Sequence, residues 1–402
     1  MENYIKEPEK LTAVSKEYDT VVAGGGVAGI SAALAAARNG AKTLLIEREF
    51  LLGGLATLGL VTIYLPLCDG EGRQVSFGIA EELLRLSVKH GYDGKYCPEW
   101  LGEGSLEDRR KKRFEVQFNP YIFAIEVERL LLENGIDILY GTVVCDAITD
   151  GGKITHLIIE NKSGRSAVAV KNVVDTTGDA DICKLSGEGT VLFKQGNVPA
   201  AWCYVTEKGT FNLNTIGFCD IPDSQKSEEH LEADKSSLRF TGLDADELTE
   251  LMIYSHKTLL EKFLKKGEES PERALSSVAA IPQIRMTRRI DGVYTQDDNE
   301  SHREYADSVG LFSDWRKSGP VYELPFSALY GKKISNLITA GRSISVTDAM
   351  WDITRVIPVC AVSGQAAGTA AAITESFAEI DLNELQTRLR TAGVVLHEKD
   401  LK

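Results

Sequence analysis

"VVAGGGVAGI", residues 21–30, decides how this chain reads. Val21, Val22 and Ala23 are the apolar run of a central parallel strand. Gly24, Gly26 and Gly29 follow at GxGxxG spacing, and the Ala-rich "ISAALAAARNG" continues as a helix that stops at Gly40. Strand, tight turn and helix in this order form a cradle for a pyrophosphate. The first glycine makes the turn, the second admits phosphate close to the backbone, and the third lets helix pack on strand. The N–H groups at the helix start, where Val27 and Ala28 lie, then face the anion.

Working outward, "AKTLLIERE" reads as a second buried strand ending at Glu47, 18 residues beyond Gly29, with Arg48 beside it. A carboxylate there accepts hydrogen bonds from ribose hydroxyls and repels a 2′-phosphate. The adenosine diphosphate of FAD or NAD therefore fits, and NADP does not. Two later segments separate FAD from NAD. "NVVDTTGDADI", residues 172–182, runs a β-branched strand into Thr177, Gly178 and Asp179, and "NLITAGRSIS", residues 336–345, repeats strand then Ala-Gly-polar at Gly341 and Arg342. An NAD domain needs neither, whereas a flavin is long and must be met by segments returning from later in the chain. In "DITRVIPVCAVSGQAAGTAAAI", Pro358 suits a first helical turn. A helix starting near Arg355 to Pro358, with Val356 and Ile357 at its head, aims its positive end at the flavin N1 and C2 carbonyl. Gly364 and Gly368 in that helix read as packing residues.

The chain resembles the FAD-dependent oxidoreductase family, with distant similarity to glutathione-reductase-type and fumarate-reductase-type flavoproteins. The pieces that carry the resemblance are "VVAGGGVAGISAALAAARNGAKTLLIE", "LLGGLATLGLV", "VVDTTGDADI", "IPQIRMTRRIDG", "YELPFSALYGKKISNLITAGRSIS" and "TRVIPVCAVSGQAAGTAAA", which run from residue 19 to about 373. The resemblance implies FAD as cofactor, with Gly53, Gly54, Leu55 and Ala56 in the matched second piece and Val144, in the 143–145 stretch, at the adenine. It also implies an α/β fold: a Rossmann-like FAD-binding domain of glutathione-reductase type with an inserted α+β substrate domain. The boundaries expected are 1–65, 119–194 and 326–402 for the discontinuous FAD domain, and 66–118 with 195–325 for the substrate cap.

Local signals agree. Asn119 caps a helix with Pro120 in its first turn, Gly135 stops it, and two strands follow. "KITHLIIENKSGRSAVAVKNVVD" alternates like paired strands about Ser163-Gly164, resembling a small antiparallel sheet that covers one face of such domains. Leu248, Leu251, Leu259 and Phe263 share one helical face, which predicts an amphipathic cover helix. The run "EDRRKKRFE" reads as a solvated surface rather than an anion site.

The formal charge of −14 argues against nucleic acid and anionic membrane as partners. No apolar run suggests a membrane span or a signal segment, so a cytoplasmic location is expected. Seven scattered cysteines with no CxxC pair indicate neither disulfides nor a metal site, and Cys360 is expected buried rather than reactive. A second nucleotide fingerprint is absent too, so electrons must pass to or from a transient donor or acceptor. Whether the chain forms a homo-oligomer stays open.

For the chemistry, Arg355 is the leading catalytic candidate, as a partner either of the flavin and an anionic substrate or of Asp348 or Asp352. Asp348 lies in the same loop. Arg285, Arg288 and Arg289 crowd together and call for compensating carboxylates or substrate anions; as a strand, they put Arg285 and Arg289 on one face. His302 is a candidate acid/base, and His90 reads as bonding carbonyls at a helix end. Together these imply an oxidoreductase moving hydride or electrons between flavin and a small polar or anionic molecule. The alternatives are a redox-neutral flavin-containing hydratase or isomerase, and a non-catalytic flavin-binding protein.

Overall fold

The computed structural model describes residues 5, 6, 8–216 and 238–402; Cys219 and His230 lie outside them. The opening stretch folds as its composition dictates. Strand β1 (Val14–Ala23) ends in four buried residues. It turns through the glycines into helix α1 (Val27–Arg38), whose alanines make it thin enough to be buried from Val27 to Ala36. Asn39 and Gly40 (φ +91°) end that helix and lead to the fully buried β2 (Thr43–Ile46). Helix α2 (Ile79–Ser87) buries Ile79, Ala80, Leu83 and Leu84. After two short helical turns, helix α3 (Pro120–Glu133) starts where the Asn119 side chain accepts the Tyr121 and Ile122 N–H groups, and Gly135 follows its end at φ +72°. Short β3 (Asp137–Leu139) is followed by the meander β4 (Val143–Asp150), β5 (Lys153–Asn161) and β6 (Gly164–Asp175).

Beyond β6 the chain builds a second group of elements. Strand β7 is Thr190–Leu192, and β8 (Trp202–Glu207) pairs antiparallel with β9 (Thr210–Thr215). Helix α4 (Ala245–Lys265), capped by Asp244, buries Leu251, Leu259 and Phe263 as its spacing predicts. Leu259 and Phe263 pack on Ala201, Cys203 and Val205, covering the sheet completed by β10 (Arg273–Val278). Strand β11 (Arg288–Ile290) pairs with β7, so only part of the arginine cluster is strand and Arg285 lies before it. The hairpin β12 (Ser308–Ser313) and β13 (Val321–Pro325) is buried along its whole length. The chain then returns as β14 (Leu337–Thr339), α5 (Asp348–Thr354) and α6 (Ile357–Ala371).

These pieces close one seven-stranded sheet in the order β3-β2-β1-β6-β5-β4, with β14 also on β6. The twelve residues of β6 carry two partners on one edge: Gly164–Ala169 pairs antiparallel with β5, and Val173–Asp175 pairs parallel with β14. The meander expected as a separate sheet on one face is therefore joined edge-on to the parallel sheet. Asn336, 1% exposed, seals the fork. Its Oδ1 accepts the Ile154 N–H at 2.8 Å, and its Nδ2 donates to the Ile154 and Lys171 carbonyls at 2.7 Å. Backbone groups that would be stranded where the partners change are thereby satisfied.

Helices α1 and α6 pack closely through Gly364 and Gly368. A Cβ on the first would lie 2.3 Å from the Ala28 carbonyl oxygen, and on the second 2.0 Å from that of Ala32. Segment 66–118 enters the same core: Leu83, Leu84 and Phe114 belong to one cluster with Phe312, Tyr322 and Val362. No helix among the described residues is long and apolar enough to cross a membrane.

Candidate active site

A cleft of about 250 Å³ opens at the carboxyl ends of β1, β2, β6 and β14, where ligands of open α/β sheets bind. Its glycines divide the labour by geometry. Gly24 sits at φ +105°, and a Cβ there would lie 2.5 Å from the Thr176 carbonyl oxygen. At Gly29 a Cβ would lie 1.8 Å from the Gly24 carbonyl oxygen, so this position serves helix-to-strand contact and is not part of the cleft wall. Gly26 has nothing within 4 Å on its Cβ side and does line the cleft, leaving room for a phosphate against the backbone.

Glu47 is 6% exposed at the end of β2. Its Oε2 accepts the Gly25 N–H at 2.6 Å, and its Oε1 accepts the Glu49 N–H at 2.8 Å. Burial pushes the carboxyl above its ordinary value, and the two N–H bonds pull it back. The carboxylate thus holds the glycine turn in shape while facing the cleft. Replacing it, in Glu47→Ala, leaves buried N–H groups without acceptors, at about 1–3 kcal/mol. FAD affinity of the apoprotein is expected to fall on the order of ten- to a hundredfold, read by fluorescence titration.

The loop after β6 is pinned by Asp175, fully buried, whose Oδ1 accepts the Thr177 hydroxyl at 2.7 Å and whose Oδ2 accepts the Cys183 N–H at 3.0 Å. Thr177, Gly178 and Asp179 are thereby presented to the cleft. Arg342 faces them: its Nη1 donates to the Ile284 carbonyl at 2.8 Å and its Nη2 lies 3.6 Å from Asp179. Arg288 turns to the same loop instead of into the cleft, donating to the Asp179 carbonyl at 2.8 Å and pairing with Asp181 at 2.6 Å.

Burial and the carboxylates of Asp179 and Asp175 push Asp181 up to about 6, against the pull of Arg288. Between its ordinary 3.8 and about 6 the native state holds more protons at this position than the unfolded chain. Stability contributed by this residue therefore falls as pH rises through that window and is level above it. Asp181→Asn removes this slope, a difference that urea denaturation at several pH values across the window detects.

Arg355 ends α5 and lines the cleft beside Ile357. Its Nε donates to Asp352 Oδ1 at 3.0 Å and its Nη2 bonds the same oxygen. Asp352 also faces Arg316 at 3.5 Å, and Arg316 pairs with Asp314 at 3.0 Å. Both aspartate side chains are fully buried, so the guanidinium is held in place from behind.

Most of the expected cofactor positions meet in this cleft: Gly24, Gly26, Val27, Ala28, Glu47, Arg48, Gly53 to Ala56, Val144, Thr177 to Asp179, Gly341, Arg342 and Ile357. Gly29 and Val356 stand behind it. Of the expected catalytic residues only Arg355 lines it. Arg285 is 6% exposed, donates to Gln283 at 3.2 Å and lies over the Trp202 ring. Asp348 sits one turn before Asp352 on α5, its carboxyl pushed up by burial and pulled down by Arg289 and Lys194.

His302 is not brought to the site. Its Nδ1 meets Glu398 at 2.8 Å in a separate polar recess with Arg73, Glu304 and Glu323, because its loop packs against the chain's C-terminal segment. His90 bonds the Glu126 carboxylate at 2.9 Å rather than helix carbonyls. Cys360, expected buried, is only partly buried at the cleft, and loss of hydration pushes its thiol up to about 12. The apolar wall of Ile281, Pro282, Ile284 and Leu248 was not among the expected site residues, although three of the four fall inside the matched piece "IPQIRMTRRIDG".

A flavin dinucleotide fits these residues. Neither α1 nor α6 carries an acidic residue in its first turn, and Arg48, Arg342 and Arg355 line the cleft among Glu47, Glu49, Asp179 and Asp181. Such helix starts favour phosphate and other anionic groups.

The fold and cleft are those of a Rossmann-type flavoenzyme. The chain belongs to the FAD dependent oxidoreductase family, whose model matches residues 19–198 and 193–389, and FAD is its cofactor. A thioredoxin reductase of Ureaplasma parvum serovar 3 is 32% identical over 95 residues, covering 24% of this chain and 29% of that protein. Among solved structures, a geranylgeranyl bacteriochlorophyll reductase-like protein from Thermoplasma acidophilum is 16% identical over 94% of this chain and 82% of its own, with a TM-score of 0.49. A flavocytochrome c3 fumarate reductase is 14% identical over 89% and 78% of the two chains, with a TM-score of 0.42.

Proposed function

We propose that the chain is a dehydrogenase or reductase that moves hydride or electrons between bound FAD and a small polar or anionic organic substrate. The observation that carries this reading is Arg355: a guanidinium on the cleft wall, at the head of α6, held by buried Asp352. Bound FAD supplies the electron-transfer chemistry, and the chain supplies position and charge. Gly24, Gly26, Val27 and Ala28 hold the pyrophosphate, Glu47 the ribose, and Val144 the adenine. Arg342 braces the 177–179 loop across the cleft, while Gly53 to Ala56 and Ile357 border the ring. Arg355 orients a carbonyl or carboxylate of the substrate. The apolar wall from Ile281 to Ile284 keeps water from the reacting atoms.

On this reading 1–65, 119–194 and 326–402 bind the cofactor, while 66–118 and 195–325 contribute the cover. The protein works in the cytoplasm with a transient electron donor or acceptor, and assembly into a homo-oligomer is compatible with it. The test is an anaerobic metabolite screen following flavin absorbance near about 450 nm. A polar or anionic compound that bleaches the wild-type band, and bleaches an Arg355→Met variant far more slowly, supports the proposal. A fully loaded protein that no such compound reduces, and that no reductant-linked assay turns over, sinks it.

A further inference from the structure

Arg289, in β11, is 7% exposed, and its Nε has no partner among the described residues. Its Nη1 reaches only the Ile290 carbonyl at 3.1 Å and the Ser345 hydroxyl at 3.4 Å. Carboxylates meet its charge at longer range, those of Asp348 and Asp291, and burial pulls the guanidinium below its ordinary value. A second buried donor stands nearby. Trp351 is fully buried and its Nε1 also lacks a partner among the described residues.

The segment 191–193 links the two, since Val191 pairs with Arg289 and Phe193 meets Trp351. Trp351 lies one turn beyond Asp348 along α5 and meets Phe193 edge-on, with ring centroids 6.0 Å apart. Phe193 follows Val191 by two residues, and Val191 is the β7 partner of Arg289. Lys194 comes next and is exposed. Two buried N–H donors on adjoining elements have no acceptor among the described residues, and one of them carries a charge that calls for an anion. Helix α5 joins this place to the cleft, since it ends at Arg355.

We infer that Arg289, with Trp351, Asp348 and Lys194 around it, binds the carboxylate of an organic acid substrate, with Arg289 as its main partner and the Trp351 Nε1–H as a second donor. This rests on the oxidoreductase reading above and narrows its substrate class. Lys194 draws the anion in. The charged groups facing Asp348 are Arg289 from β11 and Lys194 from the segment after β7, with Asp291 facing Arg289. An ionised Asp348 competes with the substrate for Arg289, so affinity for a carboxylate falls as pH rises through the titration of Asp348.

The test is calorimetric titration of the FAD-loaded protein with acetate, succinate and benzoate, each against its neutral amide. At least one carboxylate is expected to bind while its amide does not. Arg289→Gln is expected to weaken that binding about tenfold or more, as for loss of a charge-assisted contact, with unchanged FAD content. Arg289→Lys retains part of the binding and serves if the first variant fails to fold. Asp348→Asn keeps the binding and flattens its pH dependence. The inference is overturned if none of the three acids binds, or if both Arg289 variants bind as the wild type does. Purified protein that takes up no FAD would instead overturn the cofactor assignment, a separate readout.

Discussion

Gly29→Ala is expected to give a protein that purifies without flavin. The added Cβ would lie 1.8 Å from the Gly24 carbonyl oxygen and 2.8 Å from the Thr176 hydroxyl. Neither is the far end of a flexible side chain, so α1 has to lift off the β1 turn. Overpacking of this kind costs about 1–3 kcal/mol and at times more, and the lifted helix no longer aims its first N–H groups at a pyrophosphate. Loss of FAD affinity of about a hundredfold or greater follows, together with a lower melting temperature. Gly26→Ala is the control. Its backbone is extended (φ −68°, ψ 178°) and its Cβ meets nothing in the protein, so the apoprotein keeps its melting temperature while the methyl group blocks the phosphate. Absorbance ratios and thermal unfolding of the two variants separate a broken fold from a filled site. Equal melting temperatures for Gly29→Ala and wild-type apoprotein would contradict the packing argument.

Asp352→Ala is expected to cost about 3–5 kcal/mol, the usual penalty for removing one side of a buried ion pair. The carboxylate is fully buried and accepts from Arg355 through both Nε and Nη2 while facing Arg316. Arg316 keeps Asp314, so most of the loss falls on Arg355. Asp352→Asn retains an acceptor and is expected to lose less. The double variant Asp352→Leu with Arg355→Met replaces the pair by apolar side chains, so it is expected to recover stability without recovering activity. Urea denaturation gives the stabilities, and the rate of flavin bleaching by substrate gives the second readout. A double variant that bleaches at the wild-type rate would remove Arg355 from the site.

How far the chain could be read depended on the range of the forces involved. The Gly24–Glu47 unit was legible because backbone sterics and side-chain periodicity act within some two dozen consecutive residues. Asn119 and Pro120 announced α3 for the same reason, and four apolar residues at helical spacing announced α4. The arginines were harder. Three in one short stretch signalled a need for anions, but nothing local told that Arg288 would meet Asp181, that Arg285 would lie over Trp202, or that the Arg289 Nε would be left without a partner among the described residues. His302 was misplaced because a histidine after an arginine cluster carries no mark of which way its loop turns. The carboxylate that takes it, Glu398, is 96 residues further on.

By themselves, then, the residues determined the strand-turn-helix cradle, the acidic strand end that suits a ribose, and the family. Each is written in short-range backbone geometry or in motifs that survive as strings. Tertiary structure alone decided that β6 forks and is sealed by Asn336, that Ile281 to Ile284 wall the cleft, and that Arg288 meets Asp181. Such contacts join positions far apart in the chain, where partner choice depends on which buried donors and acceptors remain unsatisfied once the core has closed, and no local pattern encodes that.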